Sequence, residues 1–197
     1  MDHFWSVTGH YYPLSASSRE LINGLLQPKQ LKKNAVYLRE GNIPQCAAFV
    51  SSGLLAYFYT DDNGQRIIKK FFPEHTFIAS MTALLTHTPG DFMITALEDT
   101  HLLEFRFQDF LALVATHHDI AMFYIRYLES NWVVAKESLE ISLKQKSAGQ
   151  RYYELLATCP DLAARVKQHH IAAYLGITPT QLSRIRAAEK NGIHQPM

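Results

Sequence analysis

Between Asp119 and Ala148 the chain contains neither proline nor glycine, and this stretch limits the fold more than any other. A run of that length without a breaker propagates as helix. Asp119 places a carboxylate at its start, where free backbone N–H groups and the helix dipole favour an acceptor. Ile125, Leu128, Trp132, Ala135 and Leu139 recur at a 3-4-3-4 spacing. That spacing lays them on one stripe, the seam pattern of a coiled coil. A helix of ~27 residues is ~40 Å long at 1.5 Å per residue, too long for a small domain to cover. The expectation is a dimerisation helix over 118–146, with the chain's own domains as the alternative cover for the stripe.

Ahead of this helix the texture is that of short strands. Ala47–Val50, Leu54–Tyr59, Ile67–Phe72, Phe92–Ala96 and Leu102–Phe107 are rich in aromatic and β-branched residues. Turn signals separate them: Glu40-Gly41-Asn42, Ser51-Ser52-Gly53, Asp61-Asp62-Asn63-Gly64, Phe72-Pro73-Glu74 and Thr88-Pro89-Gly90-Asp91. Asp62-Asn63-Gly64 reads as a hairpin turn, because both turn residues need positive φ. Short strands at near-regular spacing predict an antiparallel sandwich or barrel. Ser17 stands three residues before Glu20, a capping-box pattern, and Leu21, Ile22, Leu25 and Leu26 follow at helical spacing. A short helix is therefore expected over residues 18–27, and another over Gln108–Ala115.

Composition narrows the class. The 197 residues (22.5 kDa) are 47% hydrophobic and 19% charged, which excludes a disordered tail protein, a collagen and a disulfide-framework mini-protein. Cys46 and Cys159 have no spacing that demands a bridge, and a reducing compartment is the simpler expectation. The opening residues Met1–Tyr12 lack a basic segment followed by an apolar run, and no stretch approaches ~20 apolar residues. A cytoplasmic protein with no membrane partner is expected. The net charge of +1 conceals an asymmetry: residues 1–142 hold 11 basic against 15 acidic side chains, a net of −4, whereas residues 143–197 hold 8 against 3, a net of +5. Opposite signs suggest modules with different partners, and a basic C-terminal module suits nucleic acid.

The segment from Gln168 to Arg186 gives that suggestion content. Gln150–Ala157 and Leu162–Val166 read as short helical pieces leading to it. Ile171 and Leu175 give a first helix an inward face, and Ala172 is small where a second helix must cross. Gly176 suits the left-handed residue of a tight turn, and Ile177 plugs the corner. Thr178, Pro179 and Gln181 supply a cap, a first-turn proline and a threonine-to-glutamine capping box for the second helix. Leu182 and Ile185 face inward, which leaves Pro179, Thr180, Gln181, Ser183, Arg184 and Arg186 outward. This is the pattern of a helix-turn-helix, whose second helix lies in the major groove of double-stranded DNA. Gln can bond an adenine edge twice and Arg a guanine edge twice. Thr180, Gln181 and Arg184 are therefore expected to read bases. Thr178, Ser183, Arg186 and Lys167 are expected to serve as caps and phosphate contacts, with His169 and His170 as further candidates.

The run Ile171-Ala172-x-Tyr174-Leu175-Gly176-Ile177-Thr178-Pro179-x-x-Leu182-Ser183-Arg184 resembles the C-terminal motif of the Crp/Fnr family of bacterial transcription regulators. The order of the rest is similar, and Gly41, Gly53 and Gly64 fall at turns where that family's cyclic-nucleotide-binding fold has glycines. The resemblance implies an α+β protein in three parts. These are an antiparallel, jelly-roll-like β-roll over 1–117, a long dimerisation helix over 118–146 and a helical helix-turn-helix domain over 147–197. It further implies a homodimer on a roughly two-fold-symmetric operator, with RNA polymerase as an additional partner. The family's nucleotide pocket carries a Gly-Glu pair for the ribose and an Arg-Ser pair for the cyclic phosphate. Here those positions are Ala79-Ser80 and Gly90-Asp91. A phosphate site with no cation and an added carboxylate is electrostatically wrong, so no response to cyclic AMP or cyclic GMP is expected and the effector is left open. Where well-known members place Arg-Glu in the recognition helix, this chain has Pro179-Thr180, which implies a different half-site. The eleven residues after Arg186 look short for a C-terminal wing.

Two cysteines are too few for the iron–sulfur cluster of the family's oxygen sensors. The adjacent pairs His117-His118 and His169-His170 form no ligand set, so neither metal nor cofactor is expected. None of the common nucleotide-loop, zinc-protease or nucleophile-elbow motifs is present, and an enzyme is not expected. The competing expectation is a ligand-sensing or protein-interaction β-roll with weak or vestigial DNA binding.

Overall fold

The apolar runs between the turn signals become strands of two antiparallel sheets. A computed structural model describes residues 1–61, 64 and 66–190. One sheet has the order β1 (Gln27–Leu31), β8 (Thr100–Arg106), β3 (Cys46–Ser52), β6 (Phe77–Ile78). The other has the order β2 (Val36–Leu38), β7 (Met93–Ala96), β4 (Leu55–Thr60), β5 (Arg66–Phe72). β3 pairs with β8 from Cys46↔Arg106 to Val50↔Leu102, and a bulge then brings Ser52 opposite His101. Gly41, Gly53 and Gly64 all have positive φ. At Gly53 a Cβ would lie 2.5 Å from Thr100 Oγ1 and 2.7 Å from the Asp99 carbonyl oxygen, so both the backbone and the space require glycine. Asp62 and Asn63 of the expected hairpin turn lie outside the described residues.

Side chains alternate across a strand, and on β3 both faces are buried. Ala48 and Val50 point between the sheets, where they meet Leu55, Tyr57, Ile78, Ile94 and Leu102. Ala47 and Phe49 point the other way, into a cluster with Phe4, Ile22, Leu26, Phe107, Phe110, Ile120 and Phe123. That second cluster is roofed by helices α1 (Asp2–Tyr11), α2 (Ala16–Leu25), α4 (Phe107–Thr116) and α5 (His118–Leu128). A further helix, α3 (Met81–Thr86), follows β6. The N-terminal α1 is an addition to the sequence-based reading. The start of α2 also differs from it: the cap is Ser15, whose hydroxyl accepts from Ser18 N–H, not Ser17. The reason is tertiary. Asp119 accepts hydrogen bonds from Ser15 N–H (2.9 Å), Ser18 Oγ–H (2.8 Å) and its neighbour Ile120 N–H (3.0 Å), and so holds the start of α2 against the start of α5.

The long helix differs in its middle. It winds as α5, then as a π-helix over Glu129–Val134, then as α6 (Ala135–Gln145). The extra residue per π turn breaks the single stripe expected from Ile125 to Leu139. Ile125, Trp132, Ala135 and Leu139 are exposed and Leu128 is half-buried.

The chain divides into two compact units. One is Met1–Tyr59 with Lys70–Lys136, and the other is Thr60–Lys69 with the chain from Glu137 onward. The second unit contains α7 (Ala148–Thr158), α8 (Leu162–Arg165), α9 (Gln168–Leu175) and α10 (Pro179–Lys190). Ile68, Tyr152, Leu162, Val166, Ile171, Ala172, Leu175 and Leu182 are among its buried side chains. Ser147 and Gln150 close a capping box at the head of α7, and Arg151 donates from Nη2 to the last carbonyl of α9, at Leu175.

Desolvation opposes ionisation of Asp119, but the hydrogen bonds from Ser15, Ser18 and Ile120 outweigh it and hold the carboxyl at about 2, below its ordinary 3.8. A depressed folded-state value means that its stabilisation is present above pH 3.8 and is lost as the pH falls through about 2. Asp119→Ala is expected to lower stability by about 1 kcal/mol near neutral pH, allowing for solvent screening. Urea unfolding at pH 7 and again below pH 2 checks this, since the gap between wild type and variant closes in acid.

Candidate nucleic-acid interface

The geometry between α9 and α10 is set by five local hydrogen bonds. α9 ends at Gly176, which adopts φ 68° and ψ 33°. The N–H groups of Gly176 and Ile177 both bond the Ala172 carbonyl, which closes the turn tightly. At the head of α10, Thr178 Oγ1 accepts from Gln181 N–H at 3.2 Å. Gln181 Oε1 in return accepts from Thr178 N–H at 2.8 Å and from its hydroxyl at 3.1 Å. Ile171, Ala172, Leu175 and Leu182 are buried, and Ile185 is half-buried against α7, its Cγ2 being 4.0 Å from where a Cβ at Gly149 would stand.

With the inner side of α10 fixed, its outer side is free. Thr178, Thr180, Gln181, Ser183 and Arg184 are exposed and Arg186 is half-buried. Lys167, the residue capping α9, is exposed. Two expectations change in detail. The Gln181 carbonyl oxygen is engaged by Thr178, so in this conformation only its amide N–H donors face outward, and the two-contact adenine pairing needs the capping box to open. His170 is half-buried, and desolvation first, then the nearby charges of His169, Lys167 and Arg66, lower its pKa to about 4. It is therefore neutral near pH 7 and contributes no charge to a phosphate. The residues expected to tell of a wing, beyond Lys190, lie outside the described residues.

Of the four residues expected at a degenerate effector pocket, Ala79, Ser80, Gly90 and Asp91, two lie side by side. Ser80 and Gly90 come together: a Cβ at Gly90 would lie 3.3 Å from Ser80 Oγ. Gly90 also exchanges backbone hydrogen bonds with the Gly41-Asn42 turn, Gly41 N–H to Gly90 O and Gly90 N–H to Asn42 O. The buried Ser80 hydroxyl is hydrogen-bonded to Tyr57 Oη at 3.0 Å. The Tyr57 ring lies 4.4 Å from Phe92 and 6.1 Å from Phe72 between ring centres. Burial pushes the Tyr57 hydroxyl pKa up; the Ser80 hydrogen bond lowers it, and the Asp91 carboxylate raises it further. Asp91 itself is exposed, and Ala79 is half-buried on the opposite side of the strand from Ser80. Beside Ser80 a hollow of about 200 Å³ is bounded by Tyr37, Asn42, Cys46, Ile94 and Glu104. Its charged wall is Glu104, which pairs with Lys29 at 2.7 Å. Cys46 and Cys159 are unpaired thiols, each with its pKa raised chiefly by burial. Among the described residues no group of three or more His, Cys, Asp or Glu is placed to hold a metal ion, and no helix is long and apolar enough to cross a membrane.

Residues 28–117 match the family model of the cyclic nucleotide-binding domain. Among solved structures, FixK2 from Bradyrhizobium japonicum superposes with a TM-score of 0.72 at 16% identity, covering 86% of this chain and 87% of that one. CLP of Xanthomonas campestris, described as a c-di-GMP responsive global regulator, gives 0.67 at 14% identity, covering 93% and 96%. The catabolite activator protein of Thermus thermophilus gives 0.57 at 20% identity, covering 95% and 89%. No curated protein matches by sequence. A cyclic nucleotide-binding type of domain, a long helix and a helical C-terminal domain give this chain the same fold as these solved structures.

Breaking the capping box tests the local geometry. Thr178→Ala should cost about 1 kcal/mol, the usual price of a lost N-cap, while Thr178→Ser should cost a few tenths. Thermal unfolding followed by circular dichroism distinguishes the two, and equal losses would mean that the hydroxyl is not the cap.

Proposed function

We propose that this protein is a cytoplasmic, homodimeric DNA-binding transcription regulator that does not respond to cyclic AMP or cyclic GMP. The observation that carries the reading is the outer face of α10, where Thr180, Gln181, Ser183 and Arg184 are exposed on a helix pinned from behind by Leu182. Arg184 reads a guanine edge, Thr180 and the Gln181 amide meet neighbouring base edges, and Ser183, Arg186 and Lys167 contact phosphates. The catalytic role is none: the comparable proteins are regulators, and the site offers donors and cations instead of a nucleophile and base.

The dimer reading rests on uncovered apolar surface. Trp132, Val133, Val134, Leu139, Ile141 and Leu143 are 38–64% exposed along the π segment and α6. Burying such a strip against a second copy gains roughly 25 cal/mol per Å². The absence of a cyclic-nucleotide response is argued from Ser80, engaged by Tyr57, where the resembling family has its Glu, and from Gly90-Asp91 where it has its Arg-Ser.

Purified protein used to select genomic fragments at near-physiological salt should recover an inverted repeat with half-sites about one helical turn apart. Affinity for it should fall steeply with added salt as counterions are released. Arg184→Ala should cost roughly 1–3 kcal/mol and relax the preference at one base pair of each half-site. An unchanged binding preference in that variant removes Arg184 from base readout, and recovery of no enriched sequence favours the β-roll as the working part. Light scattering should return twice the 22.5 kDa chain mass.

Titration calorimetry with cyclic AMP should give no heat of binding at micromolar concentrations. Saturable micromolar binding would falsify the closed-pocket reading.

A further inference from the structure

The outer face of β3 contributes Ala47 to the cluster beneath the helices, and beside this small side chain the packing leaves a hole. The cavity measures about 40 Å³, and its walls include Phe4, Leu26, Ala47, Phe77, Phe123 and Tyr127. A single water needs ~10–15 Å³ and two to four polar partners, while benzene occupies a cavity of ~150 Å³. This one has room without partners: its walls are carbon almost throughout, so water gains nothing by entering. A hole of this kind forfeits dispersion contacts on every side, and an apolar guest restores them. Its rim includes Leu25, Phe77, Ala79 and Tyr127, all only half-buried, which gives a guest a way in.

The cavity wall formed by α5 ends at Tyr127, immediately before the π-wound Glu129–Val134. Asn131, within that segment, donates from Nδ2 to the Tyr127 carbonyl at 3.1 Å and to Tyr11 Oη at 2.9 Å. The Tyr127 ring is itself packed edge-on to Phe77 and Tyr11, at 5.2 and 5.4 Å between ring centres. Tyr127, whose ring lines the cavity, is thus joined through its backbone carbonyl to a residue within the π-wound segment. π turns are often found at functional positions, and changing one π turn to α turns the following residues by about 100° at 3.6 residues per turn.

We propose that this cavity is a binding site for a small, uncharged apolar molecule of a few heavy atoms, and that its occupancy is transmitted through Tyr127 and Asn131 to the winding of Glu129–Val134. The site lies on the helix side of β3, separate from the closed pocket around Tyr57 and Ser80, and it does not depend on the DNA-binding reading. The guest is hydrocarbon-like or a dissolved apolar gas, because the walls offer no charge and the volume admits nothing larger without displacement of Tyr124 or Tyr127.

Xenon is the probe, dissolved under pressure in solutions of the full chain with methyl- and amide-labelled nuclei observed by NMR. Saturable shifts are expected at the methyl groups of Ile22, Leu26 and Met81 and at the amides of Ser130–Val134. Ala47→Val should fill the hole and abolish both sets of shifts. Asn131→Ala leaves the cavity intact, so it should retain the methyl shifts and lose the amide shifts, and it keeps the test decisive if the valine variant does not fold. Absence of saturable methyl shifts in the wild type overturns the site. Methyl shifts with silent Ser130–Val134 amides, or amide shifts that survive Asn131→Ala, overturn the coupling.

Discussion

Strand β3 leaves no face for water, and most of the first unit follows from that. Ala48 and Val50 must be met by the opposing sheet, and Ala47 and Phe49 by something on the other side. A sheet buried on both faces reads as a continuous apolar run instead of an alternation, which is how Ala47–Val50 reads. The second face requires helices, and α1, α2, α4 and α5 supply them. The long helix therefore begins as part of the roof of the β-roll, with Ile120 and Phe123 buried there, before it continues beyond it. Asp119 fixes the relative position of two of these roof helices with one carboxylate.

The same two-sidedness organises the short link from β6 to α3. Ala79 and Met81 belong to the helix side, whereas Ser80 between them faces Tyr57. A nucleotide site in this fold needs that middle residue to extend a carboxylate toward a ribose. Serine is too short to do so, and its hydroxyl is satisfied by Tyr57 instead. The Ser80 and Tyr57 hydroxyls satisfy each other in this way. On the helix side of the sheet Phe77 is in ring contact with Phe123 and Tyr127.

How much of this could be read from the residues depended on how far apart the partners are. Gly176, Thr178 and Gln181 act within a few positions of one another, so the turn and the capping box were legible in full. The main strands were legible from their apolar runs, but β1 was not: Gln-Pro-Lys-Gln-Leu is an edge strand with only Leu31 buried, and its proline disguises it. β2 is only three residues long and half-buried throughout, so it too carried no pattern. The cap of α2 was misplaced because Asp119, about a hundred positions away, decides it. The π segment was invisible for the same reason, since Asn131 needs Tyr11 of α1 to hold it. Tyr57 gave no sign of its role because an aromatic in a strand is ordinary.

The second unit carries its formal positive charge on arginine and lysine. The histidine pair on α9 suggested a titratable contribution, but burial and the neighbouring charges keep His170 neutral until about pH 4. What remains around the outer face of α10 is Arg184, Arg186 and Lys167, of which Arg184 and Lys167 are exposed. A field made of arginine and lysine responds to ionic strength, not to mild acid. Position-dependent recognition then falls to the few groups that are both exposed and held in place. Arg184 projects from a helix whose opposite side is fully buried at Leu182, and Gln181 is ordered by the same capping box that starts the helix. The outer face of α10 is therefore ordered by the residues that make α10 a helix at all, which on the proposed function lowers the ordering cost of placing those side chains against a groove.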